Sequence, residues 1–132
     1  MKKGFTLLEL LIVVVIIGVL ALIAAPMLLN ATDQAKNGTV SANVSAASSS
    51  VTSRIALHSE ETATTVATNV ANDLSADNTN PIDDGNAAFA TSGTAAGSVV
   101  LTGNNTENSV TISGYDKNGN AFITKVINAP GS

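Results

Sequence analysis

Residues 2–26 read KKGFTLLELLIVVVIIGVLALIAAP. Two lysines precede a glycine and a phenylalanine. From residue 5 to residue 25 the only polar side chains are Thr6 and Glu9. As a helix these 21 residues would span about 31 Å, enough to cross a hydrocarbon core of about 30 Å. The cations Lys2 and Lys3 place the N-terminus on the cytoplasmic side by the positive-inside rule. Glu9 is the anomaly. An ionised side chain at the centre of a bilayer costs roughly 2.5–3.5 kcal/mol on insertion scales. A secretory signal peptide has the basic start but a shorter apolar core and no acid in it. A plain membrane anchor explains the length but not Glu9.

The remainder bounds what else the chain can be. It has 132 residues and no cysteine, so disulfides, thiolate metal sites and thiol nucleophiles are excluded. The net charge is −4, and the four basic residues beyond Lys2 and Lys3 are scattered: Lys36, Arg54, Lys117 and Lys125. Phosphate recognition needs clustered Lys or Arg, so no nucleic acid is expected to bind the monomer. His58 is the single histidine. It has no ligand partners at zinc spacing and reads as a surface side chain. Nucleophile–base pairs, phosphate loops and cofactor fingerprints are absent from the sequence. The chain reads as no enzyme, with no cofactor and no metal.

The N-terminal set Lys3-Gly4-Phe5-Thr6-Leu7-Leu8-Glu9, followed by the apolar run with Gly18 and Pro26, resembles the type IV prepilins. The resemblance covers about the first 26 residues. It implies that residues 1–4 are a leader, that a prepilin peptidase cuts after Gly4, and that Phe5 becomes an N-methylated terminus. It implies a hydrophobic helix over 5–29 that anchors the subunit in the inner membrane and later forms a filament core. Residues 30–132 would be a small hydrophilic head exposed on a cell-surface pilus. Such filaments serve adhesion, twitching motility or DNA uptake. The implied partners are identical subunits and the pilus assembly machinery. A pseudopilin of a type II secretion system, or a minor pilin, shares the same N-terminal chemistry. A plainly anchored surface binding domain is the reading from another class, and it has no use for Glu9.

On this resemblance Glu9 has a physical purpose. Cleavage exposes an α-amino group at Phe5. A lone ammonium and a lone carboxylate are both costly to bury, and each can cover the other when helices bundle. Pro26 cannot donate its amide and is expected to kink or open the helix. Gly18 weakens it nearby.

Beyond Pro26, Val40, Val44, Ala47, Val51 and Ile55 recur at helical spacing. One helix is expected from Phe5 to about Ser59, with Asn37-Gly38 as a break signal. A shorter helix is expected over about 60–76, capped by Ser59. Strand patterns follow at 87–91, 98–102, 109–115 and 121–127, separated by Gly and Asn clusters. Asp116-Lys117-Asn118-Gly119-Asn120 begins like a calcium loop. It lacks the glycine and the final glutamate, and Asn-Gly favours a plain hairpin turn. The expected fold is α+β, a long helix packed against a small antiparallel sheet.

Overall fold

The computed structural model describes residues 4–129. Lys2, Lys3 and the C-terminal Gly131-Ser132 lie outside the described residues. The chain divides into two compact units, one ending at Gln34 and the other beginning at Ala35. Helix α1 is Leu7–Leu57 and helix α2 is Ala63–Asp77. Strands β1 Phe89–Ala90, β2 Val99–Asn104, β3 Ser109–Tyr115 and β4 Ala121–Asn128 form one sheet in that order. The α+β class is as expected.

Helix α1 runs through Gly18, Pro26 and the Asn37-Gly38 pair. The break signal at Asn37-Gly38 is therefore not used. A glycine in a helix interior costs only about 0.5–1 kcal/mol relative to alanine. The turn that follows it sets Val40 and Val44 fully into the core. Four hydroxyls along α1 bond back to carbonyls one turn earlier: Thr32 to Leu28, Thr39 to Ala35, Ser48 to Val44 and Thr52 to Ser48.

The second unit has one core. Val40, Val44, Ala47 and Val51 of α1 meet Val66 and Val70 of α2 and Leu101, Val110 and Ile112 of the sheet. This is the stripe the spacing marks out, with Ile55 packed at its margin. Burying a valine-to-isoleucine side chain contributes about 1.5–3 kcal/mol, so this short list carries much of the unit's stability. Gly114 lets β3 approach α1 closely. A Cβ there would stand 2.8 Å from methyls of Val40 and Ile123.

Two expectations need correction. The sheet is mixed, not antiparallel. β2–β3 and β3–β4 are antiparallel, but β1 pairs parallel with β2 through Phe89↔Val99 and Ala90↔Val100. The link over 91–98 loops back instead of forming a hairpin. Gly97 turns it with φ of 77°, a region that favours glycine. The second helix starts later than Ser59 would place it. Thr62 is its cap and accepts from the Thr65 N–H at 3.3 Å. Residues 58–61 form a turn, closed by the Glu61 N–H on the His58 carbonyl at 3.1 Å. The Glu61 carboxylate is spent on Arg54, not on the helix start.

Candidate functional site

The site proposed by sequence is the start of α1. Residues 4–6 precede the helix, so the Gly4–Phe5 peptide bond lies in non-helical backbone. The Phe5 side chain is 91% exposed. A Cβ at Gly4 would meet nothing within 4 Å, so no crowding within the chain demands glycine there. The same holds at Gly18. Pro26 sits inside α1 and supplies no N–H to the carbonyl four residues back.

Glu9 has a partner that the sequence reading did not give it. The Thr6 N–H donates to Glu9 Oε2 at 3.1 Å, and the Glu9 N–H donates to the Thr6 hydroxyl at 3.2 Å. This is a reciprocal capping box, with Thr6 as N-cap and Glu9 at the third helical position. It satisfies two of the backbone donors that a helix start leaves open. The acid also faces the positive end of the helix dipole. The spacing T-x-x-E was the signal, and it stands in the sequence as Thr6 and Glu9. The cap uses Oε2, and a carboxylate has acceptor capacity for more than one donor.

Behind this cap the helix is apolar on every side. Each large apolar side chain from Leu7 to Leu29 is between 49% and 86% exposed. Soluble monomers rarely expose contiguous apolar patches beyond a few hundred Å². The helix is long and apolar enough to cross a membrane.

Within the second unit, Arg54 joins the end of α1 to the start of α2. Its Nε and an Nη lie 2.6 and 2.7 Å from the two Glu61 oxygens. Asp73 lies 3.7 Å away, and Asn69 donates weakly to Glu61 at 3.4 Å. The hydrogen bond from Arg54 holds the Glu61 carboxyl below its ordinary pKa, outweighing the opposing effect of burial. Glu61 therefore stabilises the folded form fully above the ordinary carboxylate range. That contribution is lost as pH falls through the lowered folded value. The protection factors of the amides over 63–66 are expected to fall over that acid window, and Glu61→Gln is expected to remove that fall. His58 is half exposed and 3.5 Å from Glu60, as suits a surface side chain.

The 116–120 turn is the expected hairpin. Asp116 Oδ1 accepts from the N–H groups of Asn118 and Asn120, and Gly119 has φ of 75°. A second polar centre had no sequence signal beyond a turn. Asn80 is 4% exposed. Its Oδ1 accepts from the Ile82 and Asp83 N–H groups, and its amide donates to the Ala87 and Ala96 carbonyls and to Ser98 Oγ.

Comparison with known proteins bears on the N-terminal site. The prokaryotic N-terminal methylation motif matches residues 1–25. The type IV narrow pilus major component PilA5 of Thermus thermophilus is 54% identical over 44 residues. That stretch is 33% of this chain and 38% of the relative, so the likeness leaves well over half of each uncovered. No solved structure matches.

Proposed function

We propose that this chain, which carries the methylation motif and resembles a type IV pilin, is a structural subunit of a bacterial type IV pilus. Type IV pilins are structural subunits and not enzymes, so the proposed work of the chain is assembly. The observation that carries the reading is the all-round exposure of α1 from Leu7 to Leu29, most of it within the matched motif. A surface apolar along its whole circumference is covered by lipid or by other apolar helices packed around it. The subunit is made as a prepilin, held in the inner membrane with its N-terminus cytoplasmic, and cut after Gly4. Phe5 is then N-methylated. Residues 5–29 form the filament core and residues 30–132 the exposed head. Gly18 and Pro26 loosen the helix so that it can adjust on packing. The filament would serve adhesion, motility or DNA uptake.

In the filament, Glu9 faces the Phe5 amine of a neighbouring subunit. The capping box supports this because it fixes the carboxylate at the helix start while engaging only one of its oxygens. The pair's value is register more than net stability, because both charges lose their hydration.

Intact mass and N-terminal sequencing of protein sheared from producing cells tests the reading. A start at methylated Phe5 in pelletable filaments is the expected result. Gly4→Glu is expected to retain the leader and to leave no surface filaments. A wild-type chain retaining Met1, or starting after Ala25, would contradict the proposal.

A further inference from the structure

The chain contains two Asn-Gly pairs, Asn37-Gly38 and Asn118-Gly119. Such a pair can modify itself. The main-chain nitrogen of the glycine, having given its proton to solvent, attacks the asparagine Cγ. The new bond from nitrogen to Cγ closes a five-membered imide, and the side-chain nitrogen leaves as ammonia. Water then opens the ring at either carbonyl. One opening gives aspartate. The other gives isoaspartate, whose main chain runs through Cβ and is one atom longer. Glycine suits the step because it lacks a Cβ and turns freely. The attack needs a glycine nitrogen released from its hydrogen bond and a backbone free to carry it toward Cγ.

The fold places the two pairs in opposite surroundings. Asn37-Gly38 lies inside α1, where the Gly38 N–H belongs to the ladder of bonds to carbonyls four residues back. Asn37 is half-buried, and Val40, less than one turn further on, is fully buried in the core. Moving the Gly38 nitrogen toward the Asn37 Cγ breaks the helix there and pulls on Val40. Asn118-Gly119 lies at the tip of the β3–β4 hairpin, with Lys117, Asn118 and Asn120 exposed. A single bond holds the Gly119 N–H, to the Asp116 carbonyl at 3.1 Å. Glycine is demanded at 119 on two counts. Its φ is 75°, and a Cβ there would stand 2.9 Å from the Thr94 carbonyl oxygen. The turn therefore keeps the very residue that makes its neighbour reactive.

We propose that Asn118 is a site of spontaneous modification to isoaspartate and aspartate in the folded chain, and that helix α1 protects Asn37 from the same reaction. A hairpin tip opens at little cost in free energy, whereas a helix packed on the core opens only with much of the fold. The products alter the turn. Each adds a negative charge beside Asp116, whose Oδ1 accepts from the Asn118 and Asn120 N–H groups. In isoaspartate the extra main-chain atom falls inside the loop closed by two bonds, Gly119 N–H to the Asp116 carbonyl and Asp116 N–H to the Asn120 carbonyl. Both cannot keep their geometry, so the tip loosens. The head thus gains acid with age and without an enzyme.

The test compares the two pairs within one molecule. Both asparagines follow a lysine, so their local chemistry is alike. The detergent-solubilised full chain is aged in mildly alkaline buffer and then cleaved in mild acid, where the reaction is slow. Mass spectrometry of the peptides carrying residues 37 and 118 reads the conversion of each, and electron-transfer fragmentation separates isoaspartate from aspartate. Asn118 is expected to convert at least about tenfold faster than Asn37, with isoaspartate as the main product. In the urea-unfolded chain the two rates are expected to agree within about twofold, because the difference belongs to the fold. Asn118→Gln is expected to abolish conversion at 118, since its longer side chain would have to close a six-membered ring. Equal rates at the two sites in the folded chain overturn the proposal. So does a tenfold difference that persists in urea, because the sequence alone would then account for it. Neither outcome touches the pilus reading.

Discussion

Filaments of the Glu9→Gln chain are expected to fall about 100-fold below wild type, while helix α1 stays folded. Glutamine keeps the reach of glutamate and serves equally well at the third position of a capping box. The bond to the Thr6 N–H is therefore retained. What is lost is the charge facing the neighbour's Phe5 amine in the proposed filament. Breaking one side of a buried ion pair costs about 3 kcal/mol or more, which is roughly two factors of ten in an assembly equilibrium. Thr6→Val makes the complementary change. It removes the hydroxyl that accepts from the Glu9 N–H and spares the carboxylate. An N-cap is worth about 1 kcal/mol, so a loss of about fivefold is expected. Pelleted yield and far-ultraviolet circular dichroism in detergent read the two effects separately. Normal assembly of Glu9→Gln alongside failure of Thr6→Val would reduce Glu9 to a helix cap.

Asn80→Leu should destabilise the second unit by about 3 kcal/mol. Leucine is close to asparagine in size but can neither donate nor accept. The substitution strands the Ile82 and Asp83 N–H groups and the Ala96 carbonyl, while the Ala87 carbonyl keeps the Ser98 hydroxyl. Each stranded buried group costs about 1–3 kcal/mol, and partial access to water at the loop lowers the sum. Typical domains have only about 5–15 kcal/mol in total, so the loss is large. Amide exchange of β2 and β3 in the detergent-solubilised full chain measures it. Asn80→Asp is the informative control. It keeps the acceptor for Ile82 and Asp83 and removes the donors to Ala87 and Ala96. Wild-type exchange rates in Asn80→Leu would show that the hub is dispensable.

The helices and three of the four strands were legible because their signals are periodic. The Val40–Val51 stripe, the Val66–Val70 pair and the alternation in β3 and β4 each depend on which face meets the core. The parallel pairing of β1 was not legible. A two-residue strand has no period, and its partner is chosen by the path of the 91–98 link. The later start of α2 was missed because Ser59-Glu60-Glu61 is a sound helix start on local chemistry. Arg54 wins Glu61 from the preceding helix, and seven residues of separation give no periodic hint of that pair. At the N-terminal site Gly4, Phe5 and Glu9 stood out as a set. The bond between Thr6 and Glu9 was written in their spacing, yet the apolar run made lipid, not the helix start, the obvious context for the acid. Asn80 resembled any other turn asparagine, since nothing local distinguishes a buried amide from a solvated one.

The back-bonded hydroxyls of α1 carry a consequence for how the helix tolerates changes of surroundings. Thr32, Thr39, Ser48 and Thr52 each hand their proton to a carbonyl of the same helix. A hydroxyl so engaged asks little of whatever lies next to it. Water, a lipid headgroup or the flank of another helix can each sit against it without leaving a donor stranded. At these four positions the helix can meet a new medium without first having to find new partners.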